Sequence, residues 1–265
     1  MIPKFAILTT VLSERMERNV RRIINHGFGL FLCFLFLASP LVSGAVTVSG
    51  TITGDTVWTN SEIIEVVDFV TVDTTGHLTI EPGTIIRFRL LSKMDIYGQL
   101  TAVGDSASRI VFTTVADTTN GSPSSSNIWY GLRFWDNSQP VMSYCDIRYA
   151  LDGIAITKAN LEINSCTIEN FMGYGFFIDG IDADPRIDVT INSCLIQQTN
   201  PTMKKTGTGI YTFRSVNLSV AHTEISDCRL GINIYSNNYW SPLFSITRSE
   251  IRRHYSDGIY IQGTG

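Results

Sequence analysis

One stretch of the chain concentrates carboxylates: Asp179-Gly180-Ile181-Asp182-Ala183-Asp184-Pro185-Arg186-Ile187-Asp188. Oxygen-rich loops of this kind can hold Ca²⁺, which takes about six to eight oxygen ligands, and Asp179, Asp182 and Asp184 are the candidate ligands. The spacing matches no EF-hand pattern, and Pro185 and Arg186 oppose a cage, so a solvated turn is the expected state and no cofactor is assigned. Chemistry on a sugar chain makes different demands. A glycosidase needs two carboxyl groups about 5 to 9.5 Å apart, and a lyase needs a base and a charge neutraliser beside an acidic sugar. Lys204, Lys205 and Arg214 could converge with the Asp179 loop, but nothing in their spacing requires it. No residue is assigned a catalytic role. What recurs instead is aromatic: Trp135, Phe177, Tyr211, Phe213, Tyr235 and Tyr260 each sit in or beside a short alternation, with Tyr239 and Trp240 in a following loop.

The elements that position these rings emerge once glycine is taken as an anchor. Gly153-Ile154-Ala155-Ile156, Gly175-Phe176-Phe177-Ile178, Gly209-Ile210-Tyr211-Thr212, Gly231-Ile232-Asn233-Ile234 and Gly258-Ile259-Tyr260-Ile261 align, with Gly131-Leu132-Arg133-Phe134 upstream. Successive glycines are 22, 22, 34, 22 and 27 residues apart, a base period of 22 with two insertions. Each unit holds two further patterns, seen in Leu161 to Ile168 and Val189 to Ile196, with relatives at Met142 to Ile147, Leu218 to Ile225 and Phe244 to Ile251. All three alternate with period two, the mark of strands that bury one face. Three strands too short to bury their faces alone are stabilised when coil stacks on coil, so the expected fold is all-β, a parallel β-helix with three strands per coil.

Stacking places Ile154, Phe176, Ile210, Ile232 and Ile259 in one inward column and Ile147, Ile168, Ile196, Ile225 and Ile251 in another. It also explains the tetrapeptide Ile-Asn-Ser-Cys, which occurs at 163–166 and again at 191–194. Ile and Cys point inward on two strands, and Asn-Ser turns the corner, where the amide of Asn164 or Asn192 can hydrogen-bond the next coil's backbone. The Asn ladder lapses at Ser143, Ala221 and Thr247. Cys145, Cys166 and Cys194 share an inward column, where parallel side chains do not point at one another as a disulfide requires; buried thiols are expected. With no C-x-x-C pair and no His in that column, no metal is assigned to them. Cys228 and His254 fall at matching positions of adjacent coils. Glu224 and Glu250 share an outward column on another strand, beside Arg252, where a surface salt-bridge array is the expected role.

The first 45 residues stand apart. Arg21-Arg22 precedes the apolar run Phe28 to Leu37, followed by Pro40 and Ser43-Gly44-Ala45, which reads as a secretory signal peptide cut near Ala45; Met16 lies closer to its basic region than Met1, making residues 1–15 a candidate over-extension. The run is short of the ~20 residues of a spanning helix, and no membrane span is expected after cleavage. Removing this leader's five basic and two acidic residues from the chain's 20 and 24 leaves 15 against 22, a net charge of −7. With no basic stripe, nucleic acid is not an expected partner.

From about residue 78 onward the chain resembles the right-handed parallel β-helix proteins of the pectin-lyase-like superfamily, through its G-I-x-I strands, Asn-bearing corners and aliphatic stacks. Leu78 to Phe88 resembles the opening coil of secreted bacterial members, and handedness follows from the resemblance and from the right-handed crossover preference. Residues 46–77 are expected to cap the first coil. Strand edges left open at Gly265 would invite aggregation, so the helix is expected to continue in a longer protein.

The resemblance implies a groove on the face carrying the G-I-x-I strands. Its outward positions are Arg133, Ala155, Phe177, Tyr211, Asn233 and Tyr260, then Trp135, Thr157, Asp179, Phe213, Tyr235 and Gln262, with one carboxylate among them. The superfamily's polygalacturonase signatures (Asn-Thr-Asp, Asp-Asp, Gly-His-Gly, Arg-Ile-Lys) are absent. The expectation is a secreted or cell-surface, noncatalytic protein that binds extracellular polysaccharide or another surface component through its rings. The alternatives are a polysaccharide lyase or hydrolase with part of its site beyond Gly265, and a purely structural stalk or adhesin.

Overall fold

The computed structural model describes residues 44–118, 126–181, 185–200, 203, 206–236 and 242–263. Among them every paired strand is parallel and no helix occurs, so none is long and apolar enough to cross a membrane. The three alternating patterns become three faces. Face one stacks Lys93–Ile96, Leu132–Phe134, Asp152–Thr157, Tyr174–Asp179, Thr208–Phe213, Leu230–Ser236 and Ile259–Gly263. Face two runs from Asp55–Trp58 through Leu161–Asn164 and Ile187–Asn192 to Leu243–Thr247; face three runs from Ile85–Phe88 through Thr167–Glu169 and Leu195–Gln197 to Glu250–Arg252. Every third strand pairs, which is the parallel β-helix with three strands per coil. The long strand Ile63–Val72 pairs with both Ile85–Phe88 and Lys93–Ile96 and so joins faces three and one into one sheet, leaving face two as a second.

Residues 46–77, expected to cap the first coil, run in these same ladders: Ala45–Ile52 pairs with Ile63–Val72, and Asp55–Trp58 with His77–Ile80, all in parallel. The leader, apart from Gly44 and Ala45, lies outside the described residues.

Both inward columns hold their register. Ile154, Phe176, Ile210 and Ile232 lie opposite one another and are fully buried, as are Ile168, Ile196 and Ile225 on face three. Each such side chain contributes about 1.5–3 kcal/mol by leaving water. Ile259 completes its column in register but is 44% exposed on the last coil.

The recurring glycine has a steric cause. A Cβ built on Gly209 would sit 2.6 Å from the Gly231 carbonyl oxygen of the next coil and 2.6 Å from Ile225 Cγ2; one on Gly175 would meet the Gly209 oxygen at 2.5 Å. Neither glycine has left-handed backbone, so close approach between coils selects glycine here.

Left-handed backbone appears instead at the corners, on residues with side chains. Tyr144, Ser165, Ser193, His222 and Arg248 have φ between 48° and 55° and turn face two into face three. Such backbone costs about 1–2 kcal/mol at a non-glycine residue. The next residue offsets part of this cost. Cys166 Sγ donates to Asn164 O (3.3 Å) and accepts the Cys145 N–H (3.3 Å); Thr223 Oγ1 donates to Ala221 O (2.9 Å) and accepts the Cys194 N–H (3.2 Å); Ser249 Oγ does the same for Thr247 O and the Thr223 N–H. Cys, Thr and Ser are thus one column of small donor–acceptors. The Asn amides, expected to reach backbone, bond each other: Asn192 Nδ2 donates to Asn164 Oδ1 (3.0 Å), and the chain passes to His222 Nδ1 (3.2 Å) beside Ala221. The four described cysteines are buried and unbridged.

Candidate functional site

The outward positions of face one align in two columns, as the alternation requires. Asp95, Arg133, Ala155, Phe177, Tyr211, Asn233 and Tyr260 form the first; Trp135 lies just beyond Phe134, and Thr157, Asp179, Phe213, Tyr235 and Gln262 continue the second. Coils rise about 4.8 Å each, so rings on neighbouring rungs touch. Phe177 and Tyr211 stack at 5.6 Å between centroids and 12° between planes. Tyr174 packs on both, at 5.4 and 5.1 Å, making a three-ring patch. Beside it Phe213 meets Tyr235 edge-on at 4.9 Å, with the Arg214 guanidinium 4.7 Å over the Phe213 ring. Three coils before Phe213, Trp135 stacks on Tyr97 at 5.7 Å.

Face one therefore brings five of the six expected rings into three contact groups, while Tyr260 lies one coil further, 43% exposed, opposite Asn233. Tyr239 and Trp240 lie outside the described residues, as do Asp182, Asp184, Lys204 and Lys205. Two ring partners escaped the sequence reading. Alternation counted back from the inward Phe176 places Tyr174 inside; the chain is still turning onto the face at Gly175, and Tyr174 emerges beside Phe177. Tyr97 follows Lys93–Ile96, a strand with no G-I-x-I anchor.

The polar groups around the rings are tied to one another. Arg214 holds Asp179 with two parallel bonds, Nε to Oδ1 at 2.7 Å and Nη2 to Oδ2, while the Ile181 N–H also donates to Oδ1. Both oxygens of this candidate Ca²⁺ ligand are thus engaged by a guanidinium. Asp95 accepts Trp135 Nε1–H (2.8 Å), pairs with Lys93 (2.6 Å) and lies 4.0 Å from Arg133, which also sits 5.7 Å over the Trp135 ring. Lys158 pairs with Asp136 at 2.8 Å. At Asp152 burial pushes the carboxyl up, opposed by the Tyr174 N–H and by Arg133. Burial, with Tyr174 and Tyr235 nearby, likewise raises the Tyr211 phenol, which stays neutral and free to donate.

The second carboxylate pair is an ion-pair array, as expected. Glu224 and Glu250 lie in register on face three, and Arg252 bridges them at 2.6 and 3.0 Å. A larger array on the same face, unforeseen from sequence, links Arg109, Asp146, Arg148 and Glu169. Asp146 and Arg148 share one strand, Arg109 and Glu169 come from the coils on either side, and only the ladder brings those two to the pair.

A family model described as "Right handed beta helix region" matches residues 46–200. No curated protein and no solved structure matches the chain.

Proposed function

Because this chain belongs to the family of right-handed β-helix regions, we propose that it is an exported, noncatalytic protein that binds extracellular polysaccharide through face one. The observation that carries the reading is the ring patch: Tyr174, Phe177 and Tyr211 in mutual contact on one side of a regular sheet, half-buried and open to solvent, with Phe213 and Tyr235 beside them. Flat rings with polar tips offer an apolar platform to the C–H faces of sugars and hydrogen bonds to their hydroxyls. A glycosidase mechanism would need two carboxyl groups at working distance; on this face Asp95 and Asp179 are committed to Lys93, Trp135 and Arg214, which leaves Asp152, accepting the Tyr174 N–H, as a single carboxyl beside them. Export rests on the leader's composition, and the partner is a polysaccharide of the extracellular space or of a cell surface.

The test is retention of the purified full chain on a panel of plant, algal and bacterial polysaccharides, with chain-end release measured on the same samples. The expected result is retention on at least one glycan, weakened by Tyr211→Ala and by Phe177→Ala, with no new ends above a heat-killed control. New chain ends would replace this reading with a lyase or hydrolase. Retention indifferent to both substitutions would favour a structural stalk or adhesin.

A further inference from the structure

Resting on the reading of face one as a glycan platform, we infer that its ligand is an uncharged polysaccharide chain lying along the stack axis. The argument is a charge balance at short range. Among the described residues, four cations lie on the face-one strands or within two residues after them: Lys93, Arg133, Lys158 and Arg214. Four carboxylates accompany them: Asp95, Asp136, Asp152 and Asp179. Lys93, Lys158 and Arg214 each make a close ion pair within the set, and Arg133 lies between Asp95 and the Trp135 ring.

A uronate, sulfate or phosphate group is held by guanidinium or ammonium donors that it can approach without displacing another anion. Arg214, over the Phe213 ring beside the three-ring patch, already has its fork filled by Asp179. A polyanion would also meet the chain's own excess of acidic over basic residues, 24 against 20, and gain nothing from long-range attraction. An uncharged sugar loses nothing by these pairings. It takes its free energy from ring contact, which is indifferent to salt, and from neutral tips such as the Tyr211 phenol and the Asn233 amide.

Geometry sets the direction. The Tyr97–Trp135 and Phe213–Tyr235 contacts lie on opposite sides of the Ala155 and Thr157 coil, with Trp135 and Phe213 three rungs, or about 14 Å, apart. Ala155 is outward in register yet only 6% exposed, a low floor between Arg133 and Phe177. A ligand that touches both ring groups spans that floor along the axis and is several linked sugars long.

The experiment is affinity electrophoresis of the full chain in gels carrying uncharged glycans (mixed-linkage β-glucan, galactomannan) or acidic ones (alginate, polygalacturonate, chondroitin sulfate). Binding is then repeated in solution from about 0.01 M to about 1 M salt, over which the screening length falls from about 30 to about 3 Å. The expected result is retardation by an uncharged glycan, an affinity that stays within about twofold across that range, and a loss of about two- to twelvefold in Tyr211→Ala and in the still apolar Tyr211→Leu, corresponding to one ring contact. Retardation by an acidic glycan, with affinity falling as salt rises, overturns the inference; if Tyr211→Leu still weakens that binding, the ring-face reading survives it. Retardation by no glycan of either class overturns both.

Discussion

Replacing Gly209 with alanine tests the stacking argument at its tightest point. The added methyl would lie 2.6 Å from a backbone carbonyl oxygen, Gly231 O, and 2.6 Å from Ile225 Cγ2, a fully buried side chain. The carbonyl belongs to the next coil and cannot swing away without breaking its ladder, so the strain falls on the coil spacing. Overpacking of this kind costs about 1–3 kcal/mol, and with one of two contacts against backbone the upper half, about 2–3 kcal/mol, is expected. For a chain of this size that is a fall of about 4–12 °C in Tm. Urea unfolding followed by far-ultraviolet circular dichroism gives the midpoint, and an unchanged slope certifies that stability rather than cooperativity has shifted, a needed control in a stacked-coil fold. Ile225→Ala by itself removes one of the two contacts and costs about 2–5 kcal/mol through its cavity. In the double variant the two losses should fall short of additivity by about 1 kcal/mol, because the cavity accepts the methyl. A Gly209→Ala protein within about 0.5 kcal/mol of the parent, or a strictly additive cycle, would refute close approach as the reason for the glycine.

Three further outcomes follow from the same geometry. Burial raises the Asp152 carboxyl above its ordinary 3.8, so the folded state holds that proton more tightly than the unfolded one and stability falls as pH rises through the window above 3.8. Asp152→Asn, which keeps an oxygen acceptor for the Tyr174 N–H, should therefore be more stable than the parent at neutral pH and converge on it below 3.8; a gap that ignores pH in a denaturation series sinks the assignment. Cys166→Ala leaves the buried Cys145 N–H without its sulfur acceptor and should lose about 1–3 kcal/mol in chemical denaturation, while Cys166→Ser, which copies the Thr223 and Ser249 pattern, should lose less; equal losses would contradict the corner column. Arg214→Met strands the Asp179 carboxylate, and about 3 kcal/mol of stability should go with it, partly regained by adding Asp179→Asn; no recovery in the double variant would mean that the pair is not the source of the loss.

The chain's period, its three faces and its inward columns were legible from residues alone. Alternation has a period of two and a coil must bury one side of every strand, so Ile154, Phe176, Ile210 and Ile232 could be aligned before any contact was known. The same logic placed Phe177 beside Tyr211 and Glu224 beside Glu250. What alternation cannot reach is the corner. Tyr174 emerges where parity puts it inside, the Asn164 and Asn192 amides continue into His222 instead of ending at Ala221, and Cys166, Thr223 and Ser249 share a hydrogen-bonding role that their names do not suggest. Corner directions follow from left-handed φ at single residues such as Ser165 and Tyr144, a state that a residue name barely predicts for tyrosine. The ion pairs of Glu224, Glu250 and Arg252 were legible because alternation puts the two glutamates in one column; the pairing of Arg214 with Asp179, 35 residues earlier, needed the coil to close. Local sequence determined which side of each strand is buried, because burial is an average over many alternating residues. Tertiary structure decided which charges and rings meet, because a contact between coils depends on insertion length and corner geometry that no short window contains.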